Sequence, residues 1–220
     1  MFRSPPGGDD FETQRENLVD RLTSRGRISD PATERALRAV PRHEFVPGNR
    51  RSAAYADRPL PIGDGQTVSA PHMVGIMTDL LDLERGDRVL EIGTGCGYHA
   101  AVTAEVVGAG NVYSVEYSAE LVADARETLS ELGYDGISIR QGDGHEGWPE
   151  HAPYDAAYLT CAAGDFPEAV VEQVRPGGRL LAPIGSARQT LIRATRRADG
   201  SLERESHGAV RFVQMRGEGV

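Results

Sequence analysis

The sequence predicts an α/β fold: a mostly parallel, doubly wound sheet with antiparallel C-terminal strands, preceded by a helical extension. Three observations carry this. Five short apolar segments alternate with helical stretches from residue 87 onward. A glycine-rich loop joins the first of those segments to the helix that follows it. The chain then ends in a strand–turn–strand pattern. Continuous apolar strands separated by helices are the pattern of a parallel sheet buried on both faces.

Taken in order, residues 1–10 read as a disordered lead, and 11–26 (FETQRENLVDRLTSRG) as a helix with Leu18, Val19 and Leu22 inward. Residues 31–40 read as a second helix, with Pro31 following Asp30 in a cap arrangement. Residues 41–70 hold four prolines and three glycines and read as a largely irregular binding loop or lid. Helix returns over 71–83, where Met73, Ile76, Met77, Leu80 and Leu81 keep helical spacing behind Pro71. Strands are expected at 87–93, 111–116, 136–142, 155–161 and 179–185, and helices at about 97–107, 118–132 and 167–174. TLIRATRR, ADGS and LERESHGAVRFVQM complete an antiparallel finish. We expect residues 1–70 to form a helical extension with an active-site loop and 71–220 the main domain, in one structural unit.

A chain of 220 residues can bury a sizeable core, and its 39% hydrophobic and 26% charged residues belong to a globular protein. It lacks both a run long and apolar enough for a membrane helix and an apolar leader at its start. The two cysteines, Cys96 and Cys161, form neither a disulfide framework nor a metal-ligand spacing, so no metal is expected. The net charge of −9 argues against nucleic acid or an anionic membrane as partner. A monomeric, cytoplasmic protein is the expectation. All 24 basic residues are arginine, which fits either a GC-rich genome or salt adaptation.

The chemistry begins at Glu91-Ile92-Gly93-Thr94-Gly95-Cys96-Gly97, a strand-to-helix turn whose glycines let a ligand approach the backbone. Glu116, at the tip of the next strand, is placed to accept both hydrogen bonds of a ribose diol. The spacing is G-x-G-x-G rather than the G-x-G-x-x-G of dinucleotide sites, and Glu91 would repel a pyrophosphate. An acid there suits an ammonium or sulfonium group, and S-adenosylmethionine carries both. Asp143, just past the third strand, is placed for the adenine amine.

The segments VLEIGTGCGYHAAVTAEVVG, SVEYSAELVADARETL, GDGHEGW, APYDAAYLTCAA and VRPGGRLLAPIG resemble, in order, the motifs of the protein-L-isoaspartate O-methyltransferases. VPRHEFVP, AYADRPLPIGDGQTVSAPHM and AVRFVQM are the more specific matches, and the likeness spans about residues 15–215. The resemblance implies the class I methyltransferase fold (Rossmann-like), S-adenosylmethionine as donor, and repair of isoaspartyl residues in damaged proteins. It implies that Ser69 is the active-site serine. Val68, Ala70, His72, Glu91, Gly93, Gly95, Glu116, Asp143 and Gly144 would contact the cofactor. Val210, Arg211, Phe212 and Val213 would hold the substrate peptide, and Gln189 would lie near a position that closes over the cofactor. The chain departs from the family pattern at Cys96, where serine is usual, at Thr160–Asp165, and at Gln214, where proline is usual.

Other readings stand beside these. Ser69 precedes a helix-starting proline by two residues and could simply cap that helix. His43, His72 and His99 read as structural histidines, Arg211 as a cross-strand partner, and Cys161 as a buried apolar thiol. For function, the alternatives are a family relative acting on another carboxylate, such as aspartate in a dedicated peptide, and a cofactor-binding protein without catalysis.

Overall fold

The computed structural model describes residues 8–217. Residues 1–7 of the expected lead lie outside the described residues. Residues 8–10 are already helical, because α1 runs Gly8–Ser24. The second helix, α2 (Pro31–Ala39), starts as expected: Asp30 accepts from the Thr33 N–H and Pro31 occupies the first turn.

The stretch read as irregular is more ordered than its prolines suggest. Two short 3₁₀ turns, Arg42–Phe45 and Gly48–Ala53, lead into an antiparallel hairpin of β1 (Leu60–Gly63) and β2 (Gln66–Val68). Two strands of four and three residues, one carrying a proline, fall below what alternation can reveal in a sequence. Helix α3 (Pro71–Leu81) follows.

The main sheet is built from β3 (Val89–Ile92), β4 (Val112–Glu116), β5 (Ser138–Gln141), β6 (Tyr154–Leu159), β7 (Val174–Ile184), β8 (Gln189–Arg196) and β9 (Leu202–Val210). Helices α4 (Tyr98–Val107), α5 (Ala119–Glu131) and α6 (Glu168–Gln173) connect the parallel strands. The spatial order is β5-β4-β3-β6-β7-β8-β9, parallel through β7 and antiparallel at β7–β8 and β8–β9. This is the predicted Rossmann-like class I architecture. β7 starts five residues earlier than expected: Val174 already pairs with Tyr154, and the Pro-Gly-Gly stretch is accommodated as an irregularity in register. At the other end β9 stops at Val210, short of the expected strand through Met215.

Chain order reverses between β3 and β6, so the carboxyl ends of these neighbours diverge into a crevice, where ligands of doubly wound sheets bind. One buried apolar cluster joins Leu18, Leu22 and Leu37 of the first two helices to Val89, Ala100 and Leu181. The extension is therefore packed against the sheet layers that carry the crevice. Among the described residues no helix is long and apolar enough to cross a membrane, and no cluster of three or more His, Cys, Asp or Glu could hold a metal.

Candidate active site

A cavity of about 770 Å³ opens at the switch point. Its wall includes Val68, Ser69, Gly93, Gly95, Glu116 and Gly144 from the predicted set. Glu116 is held rigidly. One carboxylate oxygen accepts from the Gly95 N–H and the other from the Ser118 N–H, each at 2.9 Å. A carboxylate offers about four lone-pair sites, so two remain for a diol. Gly93 has φ +96, and a Cβ there would lie 2.3 Å from Thr160 Oγ1. That hydroxyl donates to the Gly93 carbonyl, so the β6 tip stitches the glycine loop closed. Thr160 and half-exposed Tyr117 both line the cavity. Each directly follows a strand end, Leu159 or Glu116, and that position was the available signal for them.

Glu91 belongs elsewhere than the sequence suggested. It is fully buried and absent from the cavity wall. Register places it between Ser114 on β4 and Tyr158 on β6. Ser114 Oγ donates to Oε2 at 2.5 Å and Tyr158 Oη to Oε1 at 2.8 Å. Strand side chains alternate between faces; Ile92 reaches the cavity while Glu91 faces α4. Burial pushes its carboxyl up to about 8. A chain of contacts still links it to the site, because Ser114 Oγ lies 2.6 Å from Thr94 Oγ1, and Thr94 is in the cavity wall. Asp143 is also off the wall, which Gly144 reaches instead. The Asp143 carboxylate accepts from the N–H of His145 and meets its Nδ1, and Gly217 packs over it.

A second cavity, about 900 Å³, adjoins the first. All four residues predicted for the peptide, Val210, Arg211, Phe212 and Val213, line it. Ala70 and His72 line it too, rather than the first cavity. The chain turns into α3 at Pro71, which carries these two to the far side of the turn, and Val74 one turn later faces the first cavity again. Ser69, Thr67, Thr160 and Val213 line both cavities. The N-cap of α3 is Ala70, so Ser69 does not cap it, and the Ser69 hydroxyl has no hydrogen-bond partner among the described residues.

Gln189 also sits away from the first cavity. At the end of the β8–β9 ladder, where Gln189 faces Val210, its side-chain amide supplies the next rung. Nε2 donates to the Phe212 carbonyl at 3.0 Å and Oε1 accepts from the Phe212 N–H at 2.6 Å. Beyond it Val213 O accepts from Ala162 N–H at 2.8 Å. The segment thus crosses from β8 to the β6 side without stranding the Phe212 peptide groups.

The family model of protein-L-isoaspartate(D-aspartate) O-methyltransferase matches residues 13–219. The chain belongs to this family. The Archaeoglobus fulgidus protein-L-isoaspartate O-methyltransferase 2 is 51% identical over 210 residues, 95% of each chain. The Methanopyrus kandleri protein-L-isoaspartate O-methyltransferase is 48% identical, covering 94% of this chain and 93% of its own. A solved protein-L-isoaspartate O-methyltransferase superposes with TM-score 0.84 at 33% identity, over 92% of this chain and 66% of the other. At 24% identity and TM-score 0.80, a Plasmodium falciparum structure solved with S-adenosyl-L-homocysteine shares the fold.

The family's cofactor, S-adenosylmethionine, fits the first cavity. Glu116 retains acceptor capacity for a ribose, and the ring of His99, which lines the wall, has a buried Nδ1 with no partner among the described residues. Burial lowers His99 to about 3, so it is neutral. Burial likewise raises the Cys161 thiol to about 12, which removes it as a nucleophile. Of the departures from the isoaspartate methyltransferase pattern, Cys96, Thr160, Cys161 and Gln214 reach the first cavity. Ala162 and Ala163 are tied into bridges with Gln214 and Ile184.

Proposed function

We propose that this chain transfers the methyl group of S-adenosylmethionine to the free carboxylate of L-isoaspartyl residues in damaged proteins, starting their repair. One observation carries the reading: Ser69 stands in the wall common to two adjoining cavities with its hydroxyl unspent. The cofactor supplies an electrophilic methyl on a sulfonium. The acceptor carboxylate, with a pKa of about 3–4, is already ionised at neutral pH, so no general base is required. Ser69 donates to one carboxylate oxygen and aims the other at the methyl carbon. A neutral hydroxyl orients without competing as a nucleophile. Positioning of this kind can supply roughly 7–11 kcal/mol.

In this reading Glu116 takes the ribose hydroxyls, while Val68, Gly93, Gly95 and Gly144 shape the cofactor cavity. Glu91 serves as a buried support rather than a contact, and Asp143 acts through the turn that presents Gly144. Ala70, His72 and Val210–Val213 hold the acceptor peptide. Residues 1–70 supply the extension and active-site loop and 71–220 the methyltransferase domain. A monomer in the cytoplasm completes the proposal. The methyl ester then loses methanol as the following backbone nitrogen attacks it, closing a succinimide.

The test is tritiated-methyl transfer to matched isoaspartyl and aspartyl peptides. Label should enter the isoaspartyl peptide far faster and leave it in mild base. Equal rates, or a base-stable methyl group, overturn the assignment and favour another acceptor.

A further inference from the structure

A third cavity, about 460 Å³, touches the acceptor groove through His72, which lines both. Around it stand Arg21, Arg25, Arg27 and Asp57. Asp57 is committed to His72: one oxygen accepts from the His72 N–H at 3.0 Å and meets its Nδ1 at 2.8 Å. The three arginines are exposed, and among the described residues none has an ion pair or side-chain hydrogen bond. Other arginines are engaged by acids. Arg38 meets Glu16, Asp20 and Glu34, and Arg179 meets Asp82 and Asp87. In a chain of net charge −9, three guanidinium groups without an acid partner among the described residues gather around this one cavity.

The backbone gathers them. α1 ends in a reversal at Gly26, φ +63, with Gly26 N–H bonded to Thr23 O and Arg27 N–H to Leu22 O. Arg27 is thereby folded back beside Arg21 and Arg25. Cations at a helix C-terminus also gain from its dipole, which is the competing explanation for two of the three.

We propose that this cavity is a subsite for acidic side chains of the substrate polypeptide, lying on either flank of the isoaspartyl residue bound at Ser69. The inference rests on the second cavity being the acceptor groove. A flanking residue two to four positions away lies ~7–13 Å along an extended peptide, and the groove leads to the arginines through His72. Guanidinium groups recognise carboxylates in paired geometry. Three of them around one cavity select for aspartate and glutamate and against arginine and lysine.

The experiment compares kcat/KM for isoaspartyl peptides that differ only in carrying Asp and Glu, or Asn and Gln, at the flanking positions. The enzymes are the wild type and the triple variant Arg21→Gln, Arg25→Gln, Arg27→Gln, at low salt and at about 1 M KCl. We expect about a 10-fold preference for the acidic peptide in the wild type at low salt, mostly lost at 1 M KCl, where screening is near 3 Å. In the variant the preference should vanish, with neutral-peptide kinetics and S-adenosylhomocysteine affinity within twofold of wild type. An equal rate on both peptides in the wild type, or a variant that keeps the preference, overturns the proposal. So does a variant that only melts earlier, since that is the dipole role. Fluorescence anisotropy with a labelled acidic peptide lacking isoaspartate gives a second reading. Its binding, lost in the variant, supports the subsite even if no isoaspartyl peptide is methylated, an outcome that sinks the proposed function alone; no binding sinks the subsite.

Discussion

Replacing Glu116 by alanine tests the cofactor cavity most directly. The carboxylate does two jobs that the geometry separates. Its oxygens each take one backbone N–H, from Gly95 and Ser118, at 2.9 Å, and this holds the glycine loop against the start of α5. Its remaining lone pairs would take the ribose hydroxyls. Removing a charged acceptor from the bound nucleoside costs about 1.5–3 kcal/mol, or roughly 10- to 150-fold in affinity. Stranding two N–H groups costs folding stability instead, because they lose their acceptor with or without ligand. Glu116→Gln sharpens the split: it keeps the volume, but its NH₂ donates and cannot accept, so one backbone N–H goes unmet and the ribose loses a charged acceptor. Calorimetric titration with S-adenosylhomocysteine should show a weakened Kd in both variants, worse in alanine, beside a lowered Tm. A lowered Tm with Kd within twofold of wild type would reduce Glu116 to a loop clamp and refute its place in the cofactor site.

Ser69→Ala should lower kcat about 100-fold, by comparison with loss of one oriented donor in a transition state, with S-adenosylhomocysteine affinity and Tm unchanged; steady-state kinetics and calorimetry check this. Gln189→Ala strands both peptide groups of Phe212 and should raise KM for an isoaspartyl peptide about 10-fold while leaving cofactor affinity intact; a change in Kd for S-adenosylhomocysteine would place Gln189 on the cofactor side after all. Glu91 titrates near 8 when folded against 4.5 in its ordinary state. Its stabilising contribution is therefore complete at low pH and is lost as pH rises through about 8. Tm should decline between pH 5 and 8 more steeply in the wild type than in Glu91→Gln. If the acidic, lysine-free surface is a salt adaptation, Tm should still rise between about 0.2 and 2 M KCl, where screening is already short-ranged; a flat Tm favours base composition.

Alternation of apolar runs with helices was legible because each run is long enough to show its period, and the tips of β3 and β4 then located the loop and Glu116. What stayed hidden were choices between the faces of one strand and partnerships between distant side chains. Glu91 was visible as an acid beside a glycine loop. That it faces α4 depends on Ser114 and Tyr158 standing opposite it in register, and no local pattern reports register. The β1–β2 hairpin is too short to show a period. Gln189 was placed near the cofactor by the resemblance alone; an amide carries no mark of its partner, and its rung on Phe212 spans 23 residues of chain.

The two cavities also explain why no acid–base group is bonded to the Ser69 hydroxyl among the described residues. A hydrolase at such a junction would need a base within reach of the hydroxyl, yet Ser69 has no partner among the described residues; His99 in the first cavity is made a weak base by burial, which lowers it to about 3, and His72 in the second is bonded to Asp57 rather than to Ser69. Transfer to a carboxylate asks for no proton to be removed. It asks that two bound molecules meet through one aperture, and Thr67, Ser69, Thr160 and Val213 form that aperture. Thr160 is bonded back to the glycine loop, and Val213 is fixed by Ala162 beyond the Gln189 rung. The rims that set the distance between donor and acceptor are thus anchored to the same strand, β6, on whose tip residues 160–162 follow. A site built to position rather than to ionise should be sensitive to changes in those anchors and indifferent to pH near neutrality. This is the behaviour that separates a carboxylate methyltransferase from an acyl-transfer enzyme.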